Sequence, residues 1–233
     1  MSVTLPKINP TKTAAWSALR NLFEAQKDWS LTDLFLNDSD RKTTFSAEID
    51  GFYLDYSKNL MSTEVRAQLL ALADEVKLKD AIKAQFSGVV INETEGRAVG
   101  HAQLRNFEQL PKEVAETLGR VKSFVTQVVN GTFKGYTGLP ITHIVNVGIG
   151  GSDLGPDMVC EALTYYQNHL EVRFVSNVDG DHVHEQLKGL RPEQTLFVVV
   201  SKTFSTQETL TNAQTIRKWF LSQAPESAIS KHF

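Results

Sequence analysis

The sequence predicts an α/β fold, a doubly wound parallel sheet preceded by a mainly helical N-terminal arm that carries one β-hairpin. Three observations lead there. Short apolar runs at 144–147, 172–176 and 196–200 alternate with helical stretches at 157–166 and 181–187, a β-α-β-α-β rhythm that makes parallel strands. The first and third runs each lead directly into a loop dense in glycine or hydroxyl residues. Upstream, the chain shows helical periodicity interrupted once by strict alternation around an Asp-Gly pair.

Taken in order, residues 11–27 set Ala14, Ala18, Leu22 and Ala25 at helical spacing, with Trp16, Leu19 and Phe23 broadening the apolar face. Such a face serves packing. Residues 45–56 alternate about Asp50-Gly51, a strong hairpin signal that places Phe45, Ala47, Ile49, Phe52, Leu54 and Tyr56 on one face. Helices follow at 62–75, 79–85 and 112–129, and Gly131, Gly135 and Gly138 mark a boundary before the first parallel strand. The arm is therefore read as 1–135 and the sheet-bearing domain as 136–233. A last helix is expected at 207–221.

Composition narrows the classes. Lys and Arg total 24 against 27 Asp and Glu, a net charge of −3 that favours neither nucleic acid nor an anionic membrane as partner. Hydrophobic residues make up 41% of 233, enough to bury a sizeable core. No run approaches the ~18 apolar residues of a membrane span, and the N-terminus has no apolar stretch of signal-peptide length, so a cytoplasmic location is expected. Cys160 is the single cysteine, which excludes an internal disulfide; it is expected to be a small buried thiol in the helix after the first loop.

The chemistry lies in two loops. Gly148-Ile-Gly-Gly-Ser-Asp-Leu-Gly-Pro156 follows the first strand, its glycines allowing a sharp turn and close ligand approach, with Pro156 suited to the first helical position. Two nucleotide motifs fail here. The dinucleotide fingerprint would put its third glycine at Asp153, and the hydrolase phosphate loop would need a lysine where Pro156 stands. Ser201-Lys-Thr-Phe-Ser-Thr206 follows the third strand with four hydroxyls and one ammonium at a helix N-terminus, where free N–H groups and the dipole stabilise a phosphate. Ser205 and Glu208 have capping-box spacing, which leaves Ser201, Lys202, Thr203 and Thr206 unexplained by capping. In the flavodoxin-like strand order 2-1-3-4-5, strands one and three are neighbours, so both loops leave one edge and face one ligand.

Other polar clusters carry blander readings. His182 and His184 beside Asp179 and Asp181 suggest a metal, but residues two apart on a helix point to different sides, and no metal is expected. Glu93, Glu95 and Arg97 read as a structural ion-pair or subunit-contact block, and His101 and Arg105, four apart on a helix, extend that surface.

Residues 148–156, 201–209 and the block from Ile91 through Val99 to Asn106 closely resemble segments of the phosphoglucose isomerase family, beyond the wider sugar-isomerase (SIS) domain group. The resemblance implies that Ser201, Lys202, Thr203, Ser205 and Thr206 form the phosphate pocket and that Gly151 and Ser152 contact the sugar. Ser205 stands where the family more often has threonine, and a hydroxyl is retained. The implied reaction interconverts glucose 6-phosphate and fructose 6-phosphate through a cis-enediol, with no cofactor, in a homodimer. The family takes its catalytic glutamate, histidine and lysine from downstream segments, so the resemblance assigns this chain no catalytic residue and makes 136–233 an incomplete first SIS domain. Residues 228–233 would open the next strand, and the chain is expected to be the N-terminal portion of a longer enzyme. The alternatives are a non-catalytic SIS module that senses a sugar phosphate, which needs the same loops, and the isomerase part of an aminosugar-phosphate synthase, whose N-terminal cysteine is missing from Met1-Ser2-Val3.

Overall fold

The structure, a computed structural model, describes residues 4–233. One compact unit ends at Pro111 and a second spans Lys112–Phe233.

In the first unit, helix α1 (Ala14–Gln26) starts where Thr13 Oγ1 accepts from the Trp16 N–H. Its first turn also meets a remote carboxylate. Glu75, the last residue of α4 (Thr63–Glu75), accepts from Ala14 N–H at 2.9 Å and Ala15 N–H at 3.1 Å, so a charge 60 residues away satisfies open amide groups and the helix dipole. Short helices α2 (Leu31–Leu36) and α3 (Arg41–Thr44) precede the hairpin of β1 (Ser46–Ile49) and β2 (Phe52–Asp55). Ile49 pairs with Phe52, and Asp50 and Gly51 at φ 49° and 81° make the two-residue turn that the sequence implies. The alternating face is only partly covered: Phe45 is buried, whereas Ile49, Phe52 and Leu54 are 71%, 78% and 61% exposed, because they lie toward the tip of an isolated ribbon.

Arg41 organises the base of that ribbon. Its side chain is buried, and it donates to the carbonyls of Ser57 (2.8 Å), Asn59 (2.7 Å) and Met61 (3.0 Å) while its guanidinium lies 4.6 Å from the Phe45 ring centroid. Three carbonyls and a π face stand in for water around the charge. Helix α5 (Leu78–Phe86) and the small hairpin β3 (Val90–Asn92) and β4 (Arg97–Ala98) complete the unit's regular elements.

The second unit begins with α6 (Lys112–Val129), whose limits match the expected 112–129. By compactness this helix belongs to the second unit, where Val128 is buried with Ile141, Leu170 and Leu196, and Phe124 packs edge-on to Phe133. Strands β5 (His143–Val147), β6 (Glu171–Val175) and β7 (Thr195–Val199) form a parallel sheet in the order β6-β5-β7. The first strand is central, as the doubly wound reading requires. Helices α8 (Gly180–Leu187) and α9 (Gln207–Leu221) cover one face, where Val145, Val147, Val175, Phe197, Ile216 and Phe220 form the main core. Among the described residues no helix is long and apolar enough to cross a membrane.

Three local expectations are corrected here. The helix expected at 157–166 is α7 (Leu154–Ala162) followed by a separate 3₁₀ turn at Thr164–Tyr166. Pro156 is consequently its third residue, still within the first turn, where a missing N–H breaks no helical bond. Cys160 is exposed and not buried, because α7 buries none of its residues; the thiol borders an open groove of about 570 Å³ with Val159, Leu163 and Phe174. Desolvation, then the charges of Asp157 and Glu161, push its pKa up, so it remains a poor nucleophile. At the other end, Glu226–Lys231 is a 3₁₀ helix, and what pairs with β7 is the His232 carbonyl, which accepts from Phe197 N–H at 2.8 Å.

His232 is fully buried and ties two distant segments together. Nδ1–H donates to the Thr195 carbonyl at 2.6 Å, and Nε2 accepts from Tyr136 N–H at 3.1 Å, which fixes a neutral tautomer. Gly135 makes room for it: a Cβ there would sit 2.3 Å from the Glu193 carbonyl oxygen and 2.8 Å from His232 Cε1. Desolvation holds the His232 pKa below its ordinary 6.5, against the opposing pull of the Thr195 carbonyl and Glu193. Its contribution is therefore complete above pH 6.5 and is lost as pH falls, because the unfolded chain takes up a proton that the folded ring resists. Urea titrations at stepped pH are expected to show this acid limb, and His232→Gln, neutral throughout, to flatten it. Gly135→Ala is expected to cost about 1–3 kcal/mol at any pH.

Candidate functional site

Both loops start level at the carboxyl edge of the sheet. Beyond the paired strands, Gly148 N–H donates to Val175 O at 3.2 Å and Val200 N–H to Val147 O at 2.8 Å, so the ladder runs to the first residue of each loop. Directly paired strands lie ~4.8 Å apart, which sets the two loops side by side.

The first loop folds back over its own strand. Gly150 at φ 57° reverses the chain into a 3₁₀ turn at Gly150–Ser152, closed by Ser152 N–H to Ile149 O (3.2 Å) and Asp153 N–H to Gly150 O (3.0 Å). Gly148 is needed for close approach, since a Cβ there would lie 2.7 Å from the Ser152 carbonyl oxygen. Gly151 faces open space, with nothing within 4 Å of a notional Cβ. Beneath the turn, the buried Asn146 donates through Nδ2 to Ser152 O at 3.1 Å. Asp153 is also buried, and its Oδ1 has no hydrogen-bond partner among the described residues. Desolvation first, then the Asp157 carboxylate, raise the Asp153 pKa; a hydrogen bond from Ser176 and the nearby His182 act the other way.

The second loop is knotted by its own hydroxyls. Ser201 Oγ accepts from Phe204 N–H at 3.1 Å and lies 3.4 Å from Thr206 Oγ1, while Thr203 Oγ1 and Ser205 Oγ share a 2.6 Å bond. Phe204 takes φ 52°, a left-handed conformation that costs a bulky residue roughly 1–2 kcal/mol. The expected Ser205–Glu208 capping box does not form. Thr206 is the N-cap of α9 and makes no side-chain capping bond, and Ser205 is directed to Thr203. The first-turn N–H groups of a 15-residue helix thus have no capping side chain from Thr206. Ser201 and Thr206 are half-buried; Lys202, Thr203 and Ser205 are exposed.

The remaining polar groups have local roles. Asp179 Oδ1 caps α8 by accepting from Asp181 and His182 N–H, and the His182 ring lies 3.2 Å from the Phe174 carbonyl. Among the described residues no three His, Cys, Asp or Glu side chains converge as metal ligands. Glu93 pairs with Lys7 at 2.6 Å, and Asn92 donates to Glu95 at 3.2 Å. His101–Arg105 is a 3₁₀ helix, so its end residues are rotated by about 120° and do not share one face. Sequence reasoning missed Asn146, Asp153 and Phe204. Asn146 alone had a readable signal, an amide inside an apolar strand.

A parallel sheet in the order β6-β5-β7, with a glycine turn and a hydroxyl-rich loop side by side at its carboxyl edge, defines the class as a doubly wound α/β unit. Residues 55–233 match the sequence model described as phosphoglucose isomerase, and the chain belongs to that family. It is 50% identical over 238 aligned positions to a glucose-6-phosphate isomerase of Christiangramia forsetii, covering 98% of this chain and 44% of that relative. Its fold is similar to the crystal structure of a glucose-6-phosphate isomerase from Chlamydia trachomatis, with a TM-score of 0.67 at 24% identity over 95% of this chain and 44% of the other. The chain thus spans less than half the length of either relative.

The two glycines separate geometry from ligand space. Gly148→Ala is expected to destabilise by about 1–3 kcal/mol, whereas Gly151→Ala changes stability by less than about 0.5 kcal/mol, both read from urea unfolding.

Proposed function

We propose that this chain supplies the sugar-phosphate-binding loops of an aldose–ketose isomerase that interconverts glucose 6-phosphate and fructose 6-phosphate. The observation that carries this reading is the shared carboxyl edge, with a hydroxyl-rich helix N-terminus on β7 beside an open glycine turn on β5. In it, the hydroxyls of Ser201, Thr203, Ser205 and Thr206, with Lys202 and the first N–H groups of α9, hold the phosphate. Gly151 and Ser152 hold the sugar body. Anchoring the phosphate fixes the open-chain sugar so that C1 and C2 are presented to an acid–base pair, and this orientation is the catalytic contribution of these loops.

The proton shuttle through the cis-enediol is assigned to a glutamate, a histidine and a lysine outside these segments, so the 233 residues are expected to bind and not to turn over. In this reading 136–233 is the first part of an SIS domain and 1–135 its arm, working as a cytoplasmic homodimer without cofactor. The competing sensor module has less support, because the family match includes residues 55–135, which a bare sensor domain does not need.

Calorimetry with glucose 6-phosphate tests the reading. Ser201→Ala and Thr206→Ala are each expected to weaken binding about 10–100-fold, the worth of one hydrogen bond to a charged group. Gly151→Ala should weaken glucose 6-phosphate binding without loss of stability. Turnover by the purified 233-residue chain in a coupled assay would overturn the assignment of the proton shuttle to residues outside these segments.

A further inference from the structure

Asn146 is a polar residue where the fold favours an apolar one. It occupies the central strand, paired in register with Phe174 on one side and Val198 on the other, and is only 7% exposed. Its flanking residues Val145 and Val147 are fully buried core. An amide in such a place is costly unless its donors are used, and Nδ2 is bonded to the Ser152 carbonyl, which also fixes which end of the amide is nitrogen. That carbonyl belongs to the last residue of the Gly150–Ser152 turn and rests against Gly148, where no Cβ fits. The turn is thus clamped twice, by backbone contact at Gly148 and by a hydrogen bond from Asn146.

We propose that Asn146 is a positioning residue for the sugar body: through the Ser152 carbonyl it sets the direction of the Ser152 hydroxyl and the Gly151 N–H, and leaves the phosphate loop untouched. This rests on the functional reading above. It assigns the two loops separable tasks, since the hydroxyl knot at Ser201–Thr206 contains no bond to Asn146. Discrimination of a hexose phosphate from bare phosphate then depends on a buried amide that touches neither.

The test compares Asn146→Leu, which keeps the branched shape but cannot donate, with Asn146→Asp, which sets an acceptor against the carbonyl. The unaltered 233-residue chain and both variants are titrated with glucose 6-phosphate and, separately, with inorganic phosphate. Both variants should lose about tenfold in glucose 6-phosphate affinity and change less than twofold toward inorganic phosphate. Amide hydrogen exchange gives a readout free of ligand: the Ser152 and Asp153 N–H groups, which close the turn, should exchange at least tenfold faster, with Phe204 N–H unchanged. Parallel losses for both ligands, or unchanged exchange at Ser152, would overturn the proposal. If the unaltered chain binds no glucose 6-phosphate, the functional reading and the hexose part of this proposal fall together, and exchange still decides whether Asn146 holds the turn.

Discussion

The in-register parallel pairing of β5 with both neighbours is the constraint on which the second unit depends. His143 to Val147 match Glu171 to Val175 on one side and Thr195 to Val199 on the other, position by position. A one-residue slip would turn Val145 and Val147 out of the main core and bring Ile144 and Asn146 to that face. It would also separate the loops. Because Gly148 and Val200 extend the ladder past the strand ends, the glycine turn and the hydroxyl loop begin at one height, side by side.

Around that sheet, and separately in the first unit, buried polar side chains act by fixing backbone. Arg41 gathers three carbonyls of 57–61, His232 joins Thr195 to Tyr136, Asn146 holds Ser152, and Asn212 donates to the Asn177 carbonyl at 2.9 Å. None of these bonds runs to a carboxylate. Each instead satisfies loop backbone that apolar packing leaves unpaired, which is how irregular segments are held at fixed positions beside regular ones.

Legibility in the sequence follows the range of the interaction. Period-two and period-3.6 patterns, set by neighbours a few residues apart, gave α6 and α9 their observed limits and the hairpin its turn. The strand order and the placement of both loops at one edge followed from the parallel rhythm. What escaped depends on distant partners or unusual backbone. Nothing local announces that His232 meets residues 37 and 96 positions away, or that Glu75 caps α1. Cys160 was misread because a mixed apolar helix normally buries one face, whereas α7 leaves Leu154 and Met158 68% and 64% exposed. The capping box failed for a related reason: its spacing is local, but Ser205 had a closer partner in Thr203.

That failure bears on function. A capped helix N-terminus is more stable by about 1 kcal/mol, and α9 forgoes it although hydroxyls flank the position. Phe204 adds a left-handed residue to the same loop, a second local cost of the kind that clusters at ligand sites. Two independent departures from the most stable arrangement fall within three residues, between Phe204 and Thr206. Packing does not require the left-handed Phe204, whose side chain is 60% exposed. Both fall at the positive end of a helix dipole, where an anion is stabilised and where a capping side chain would compete with it for the first-turn N–H groups.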